Sequence, residues 1–304
     1  MSGSIVGRAE HELNSKKVPQ TKGRLGFAEL VRRTMKEVGD DHVMAFAGNL
    51  TYHAVLAIFP FAIFVLSVLF LAGQEQLLTD AIANLQSSGA LSSGAADVIT
   101  QQVDRIAESQ PGALGFGLVL AILTALWAVS GAMRSVMEAM NVMYEVEETR
   151  GFVKRYLTSI VLSLLVAALF VVALGLVVVG PSVAAELGDI GRWAWLVLQW
   201  PVVLALVLLG IALLYYVAPD VDQDWKWVSQ GSIVATVLWL VFSLVFSAYV
   251  NNFGSYNETY GTLAGAIVLL LYAFYTSFIV LFGAELNQVI EDAAPDGKDE
   301  GERT

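Results

Sequence analysis

Six long apolar runs, at about 45–71, 113–133, 158–180, 193–217, 229–250 and 262–283, constrain this chain more than any other feature it has. A helix of about 20 largely apolar residues crosses roughly 30 Å of hydrocarbon, and each run is long enough to do so. The stretch LTSIVLSLLVAALFVVALGLVVVG, 157–180, is apolar on every side. A membrane barrel would instead repeat strands of about ten residues with alternating polarity, so the pattern is helical. The expected fold is therefore all-α, a polytopic membrane protein with six transmembrane helices. Composition agrees, since 56% of the residues are hydrophobic and only 15% are charged. No segment in the first forty residues has the short apolar core of a cleavable signal peptide, so 45–71 is expected to stay as the first span.

Orientation follows from the cations. Of the 17 Lys and Arg, all but Arg105 and Arg192 fall in the first 42 residues, the loop 134–155, the loop 218–228 or the tail. The positive-inside rule then places both termini in the cytoplasm, and an even number of spans agrees. The net charge of -11 comes largely from acidic residues in the tail and in the segment 74–111. It leaves no basic footprint for nucleic acid, so no nucleic-acid partner is expected.

Four parts are expected outside the bilayer. Residues 1–23 are poor in large apolar side chains and read as a disordered cytoplasmic terminus, as does the acidic tail 291–304, leaving 24–290 as the membrane domain. Within 24–42, Leu25, Phe27, Leu30, Val31, Met35 and Val38 recur near helical spacing among Arg24, Arg32, Arg33 and Lys36. That pattern suits a helix lying in the cytoplasmic membrane interface, or an ordinary helix packed on the bundle. Between the first two spans, Leu77, Leu78, Ala81, Ile82 and Leu85 form one apolar stripe and Val98, Ile99, Val103 and Ile106 another, with SSGALSSG between them. The segment 74–111 thus reads as an external amphipathic helical hairpin.

The first span begins GNLTYHAVLAIFPFAIFVL, 48–66. Asn49 and His53 are four apart and share a helix face, with Tyr52 beside it and Gly48 leaving room for a neighbour; Pro60 removes a backbone bond and favours a bend. Polar groups inside a membrane usually face the bundle interior, so this face either lines a hydratable cavity or bonds helix to helix. At the end of the second span, Arg134, Glu138, Asn141 and Glu145 fall at steps of four, three and four. On a continuing helix they make one charged stripe, either a gate or headgroup-contacting ladder or a solvated face. Arg134, just past Trp127 and Ser130, calls for Glu138 or an anionic lipid head as its partner.

The last span opens with NNFGSYNETYGTLAGAIVLLL, in which Glu258 sits on an external rim and Gly261 and Gly265 make a small-xxx-small packing face. It closes with FGAELNQVI, which places Glu285 and Asn287 at the cytoplasmic exit within reach of Arg134 or Asn49. In APDVDQDWKW, 218–227, three aspartates alternate, but the calcium-loop pattern is missing and a solvated turn is the default. With no cysteine, no clustered histidines and no phosphate, zinc-protease or nucleophile-elbow motif, no catalytic residue, metal or cofactor is expected. Membrane lipids are the expected partners, with a small molecule or lipid as substrate.

Together, GNLTYHAVLAIFP, ALWAVSGAMRSVMEAMNVMYEVEETRGFVKRY and YNETYGTLAGAIVLLLYAFYTSFIVLFGAELN resemble the YihY/virulence factor BrkB family of bacterial inner-membrane proteins, over about 25–290. The resemblance implies a six-span multi-pass protein of the cell envelope, with links to lipid or solute transport and serum resistance. It also implies that the old ribonuclease label of such proteins is a mistake. Carried onto this chain, its recurrent positions are Asn49, Tyr52, Pro60, Trp127, Asn141, Tyr144, Tyr256, Tyr260, Gly261 and Glu285. The chain departs from the family pattern in its acidic tail and in His53. The sequence thus points to a transporter or lipid-handling protein whose polar cavity is lined by Asn49, His53, Arg134 and Glu285, or to a non-transporting scaffold of the envelope.

Overall fold

The computed structural model describes residues 26–71, 79, 82, 83, 86, 97, 100, 101, 111–178, 180, 184, 188–221, 228–252 and 262–293. Among these, all regular structure is helical: α1 (Phe27–Asp40), α2 (Val43–Leu71), α3 (Pro111–Met143), α4 (Phe152–Val178), α5 (Gly188–Val217), α6 (Gln230–Asn252) and α7 (Thr262–Asp292). Four of these helices are long and apolar enough to cross a membrane, over Phe152–Val177, Gly191–Val217, Gln230–Val250 and Gly265–Asp292. Helices α2 and α3, of 29 and 33 residues, lie where the first two spans are expected. Most of the expected hairpin 74–111, the terminus 1–23, Glu258 and Gly261 lie outside the described residues, whereas α7 runs on to Asp292 and so takes the first two residues of the expected tail into the helix.

Local chemistry sets several of these boundaries. Helix α6 starts at a reciprocal cap, in which the Ser229 amide bonds Ser232 Oγ at 3.0 Å and the Ser232 amide bonds Ser229 Oγ at 3.1 Å. Two donors that lack a helical partner are satisfied in this way. Helix α3 ends in a Schellman turn, with Val146 N bonded to Asn141 O at 2.9 Å and Glu145 N to Val142 O at 3.0 Å. Glu145 there has φ 53°, a left-handed position that usually takes glycine. The charged stripe expected to continue through Glu145 is broken at this point. Helix α2 runs unbroken through Pro60.

The six long helices close into a ring in chain order. Each packs on the next from α2 to α7, α7 packs back on α2, α3 also touches α7, and α1 lies on α7. The tight core sits at one end, here the base, where α2, α4 and α6 begin and α3, α5 and α7 end. Val43, Ala47, Met137, Met140, Met143, Leu281 and Ala284 are buried there, and the three methionines supply adaptable packing between α3 and its neighbours. Further along, only 11–18% of the most apolar window of each of the four spans is buried.

Close helix approach occurs at Gly231 on α6 and Gly283 on α7, where a Cβ on either would strike the other's backbone oxygen. Gly48 and Gly265, expected as packing sites, have nothing within 4 Å of an added Cβ, so neither marks a close helix contact among the described residues. Helix α1 answers the alternative left open by the sequence with features of both kinds. Its Thr34 and Val38 are buried, while Phe27, Val31 and Met35 form an exposed apolar stripe, Phe27 being 82% exposed.

Candidate functional site

Three polar groupings mark the base. In the first, the short segment after α3 is clasped to the end of α5. Arg150 is 5% exposed and donates from Nε to Glu148 Oε1 at 2.7 Å, from Nη2 to Glu148 Oε2 at 2.9 Å and Ala218 O at 2.8 Å, and from Nη1 to Val217 O at 3.2 Å. Asp220 Oδ2 accepts from the Thr149 amide at 2.7 Å and hydroxyl at 2.6 Å and from the Arg150 amide at 3.1 Å. Asn141 bridges both halves, donating to Glu148 Oε2 at 3.1 Å and accepting from the Asp220 amide at 2.8 Å. Burial alone would raise the Glu148 carboxyl, but the bonds from Arg150 outweigh it and hold the group below its usual value. The same holds for Asp220, where the Thr149 and Arg150 donors overcome burial. Asp220 is thus a tether, which corrects the expectation of a solvated turn; Asp222 and Asp224 lie outside the described residues.

The second grouping has no cation at its centre. Glu285 on α7 is 0% exposed and neither carboxyl oxygen finds a donor nitrogen or hydroxyl. Its charged neighbours are other carboxyls, Asp41 in the two-residue turn between α1 and α2 first, then Glu37 and Glu145. Burial raises the Asp41 carboxyl above its usual value; Glu285 opposes the rise, Glu145 and Asp40 add to it, and His42 opposes it. Glu37 is likewise raised by burial and by Asp41, Asp40 and Glu145, against the pull of Lys36. Two residues along α7, Asn287 accepts from the Gly231 amide at 2.7 Å and donates to Ser229 Oγ at 2.9 Å and Tyr144 Oη at 3.4 Å, tying α6 and the end of α3 to the last helix.

The third grouping is Arg134, partly buried on α3. It donates to Ser130 Oγ at 3.2 Å and lies over the Tyr156 ring at 4.1 Å. Glu138, one of its two expected partners, instead pairs with Arg155 at 2.5 Å.

The structure does not bring the sequence-chosen residues to one place. No hydrogen bond, ion pair or ring contact joins any two of Asn49, His53, Arg134 and Glu285. Asn49 is exposed and Tyr52 is 62% exposed, because the face of α2 that enters the core carries Val43, Ala47, Leu50 and Thr51. His53 is half-buried, edge-on to Tyr52 with ring centroids 5.4 Å apart. Glu285 therefore meets Asp41 rather than Arg134 or Asn49. Between α2, α3 and α4, Phe61, Leu126, Val129, Ser163, Leu164 and Ala167 line a cavity of about 10 Å³, an apolar pocket rather than a polar one. Among the described residues no three His, Asp or Glu converge as a metal site. Sequence reasoning missed Asp41, Arg150 and Asp220. Their signal was weak, because their partners lie far along the chain or beyond an unmarked turn.

Comparison with known proteins places these residues in a wider group. The profile of the family described as virulence factor BrkB matches residues 34–304. The chain is 31% identical to a ribonuclease-like protein, YfkH, of Bacillus subtilis (strain 168), over 80% of this chain and 88% of that protein. It is 26% identical to the UPF0761 membrane protein MS0032 of Mannheimia succiniciproducens, over 81% of this chain and 84% of that protein. Identity is also 26% to the UPF0761 membrane protein RC1_0578 of Rhodospirillum centenum, where 89% of this chain spans 59% of the other. No solved structure matches the chain.

Proposed function

Because this chain belongs to the virulence factor BrkB family of membrane proteins, we propose that it works as a transporter or lipid-handling protein of a bacterial inner membrane. In this reading α2 and α3 join the four apolar helices as six spans, the base of the ring faces the cytoplasm, and the route for a solute or lipid runs among the helices. The observation that carries it is Glu285, wholly buried near the end of a span, whose charged neighbours among the described residues are the carboxyls of Asp41, Glu37 and Glu145. Ionisable groups at membrane depth are costly and mark pathways or proton relays more often than packing. The ring and the sparse burial of the spans away from the base support the same reading. The layer of Met137, Met140 and Met143 shuts the route at its inner end.

The test is reconstitution. Purified protein in liposomes should move labelled phospholipid, or one member of a panel of small solutes, faster than protein-free vesicles do. Glu285→Gln should abolish that movement while leaving the inserted protein abundant and folded. A second reading, an accessory scaffold of the envelope, is favoured by Asn287 and Arg150, whose polar atoms are spent on bonds between segments. Absence of movement for every probe would select the scaffold.

A further inference from the structure

Arg134 and Arg150 are both arginines near the base, and they differ in how their donors are used. A guanidinium carries five N–H donors. Arg150 spends its donors on Glu148, Val217 and Ala218. Among the described residues Arg134 makes one hydrogen bond, to Ser130, and no carboxylate pairs with it. Nor is it held in water at a helix end. It stands nine residues before the end of α3, about 14 Å along the axis, and one turn deeper than the Glu138–Arg155 pair.

The surroundings of Arg134 are those of a membrane surface. Its guanidinium rests on Tyr156, whose ring lies tilted at 41° to that of Phe152 with centroids 4.4 Å apart, Phe152 itself being 74% exposed. Two turns back on the same side of α3, Trp127 is 66% exposed, Leu123 one turn further is exposed as well, and on α4 Val153 and Leu157 are exposed. An indole at this position is typical of the belt where acyl chains meet headgroups. A cation set on an aromatic shelf in that belt, with donors to spare, asks for an anion that arrives with its own apolar tail.

We infer that the groove between α3 and α4 is a binding site for the phosphate of an anionic phospholipid, with Arg134 as its donor fork and Tyr156 and Trp127 as the shelf for the glycerol and upper acyl chain. Planar N–H pairs match phosphate oxygens two at a time, which a lysine cannot reproduce. The site stands whether or not the protein moves a solute, so it goes beyond the function proposed above. A free phosphate ion has the same headgroup chemistry but lacks the tail that the exposed apolar wall would take up.

Thermal unfolding of the full-length protein in zwitterionic detergent tests this with three additions: phosphatidylglycerol, phosphatidylcholine and inorganic phosphate. Phosphatidylglycerol should raise the unfolding temperature at the lowest concentration. Arg134→Gln should raise the concentration needed by about tenfold, the loss of one good charge-assisted pair. Arg134→Lys should fall between, and Arg192→Gln, which removes an exposed cation on α5 far from the groove, should behave as wild type. Should Arg134→Gln fail to fold, Tyr156→Leu removes the shelf and should weaken the lipid effect instead. Equal protection by phosphatidylcholine, an unchanged response in both groove variants, or an equal loss in Arg192→Gln would overturn the site. Protection by inorganic phosphate as strong as by the lipid would overturn the lipid as its source.

Discussion

The Arg150 clasp and the Asp41–Glu285 pair both bury carboxyl groups at the base of the ring, and they neutralise them by opposite means. In the clasp, Glu148 and Asp220 are met by a guanidinium, two amides and a hydroxyl, and both carboxyls are held below their usual values. In the pair, one acid faces another and Asp41 is pushed up. Buried ion pairs are costly to break because the surviving charge is stranded, whereas a carboxyl that can hold a proton need not be charged at all. The clasp is accordingly built to stay as it is across neutral pH, and the pair is built to change.

The comparison breaks most visibly if the cation is removed. Arg150→Met strands Glu148 and Asp220 and should cost about 3–5 kcal/mol of stability, read by thermal or denaturant unfolding in detergent micelles. A loss no larger than that of an exposed surface pair, about 0–1 kcal/mol, would mean the clasp is ornamental.

A pH series gives the next largest effect, and here the two regions carry opposite signs. Carboxyls held low contribute stability that is present above their unfolded values near 4 and is lost as pH falls below them. Carboxyls held high do the reverse: Asp41 and Glu37 bind protons more readily in the folded chain, so stability declines as pH rises from about 4 through their raised values. Unfolding temperature should therefore pass through a maximum on the acid side of neutral. Asp41→Asn should flatten the alkaline limb and leave the acid limb, which belongs to the clasp, in place. An alkaline limb as steep in the variant as in the wild type would remove the contrast.

The smallest effect sharpens the boundary between the two. Glu145 ends α3 in a left-handed conformation, lies near both Asp41 and Glu37, and leads into the clasp. Glu145→Gly should gain up to about 1 kcal/mol by relieving the backbone, and Glu145→Ala, which removes only the charge, should gain less. Equal gains from both would assign the effect to charge alone.

Much of the helical architecture was legible in the apolar runs, because a stretch such as 157–180 has few alternatives in or out of a bilayer. The base was harder to read. Periodicity carries the stripe Arg134–Glu138–Asn141 straight through Met143, and the turn that stops it is made by a glutamate where a glycine would have announced it. Asn141 was singled out as polar, yet its two partners only come into range once that turn folds Glu148 back and α5 brings Asp220 alongside. Asp41 and Glu285 meet because the ring closes, a long-range event that no local spacing encodes. Asn49 stands exposed for a simpler reason: Ala47, Leu50 and Thr51 offer the smoother face for packing.

The order of the ring also bears on biogenesis. Each long helix finds its predecessor already in place as the chain emerges, so the assembly can grow by simple addition, yet α7 alone contacts α1, α2, α3 and α6. Until that final segment leaves the ribosome the circle has a gap, and the early segments lack their buttress. A nascent chain stalled before Thr262 would thus be an open crescent, and should be cut by quality-control proteases that spare the closed ring.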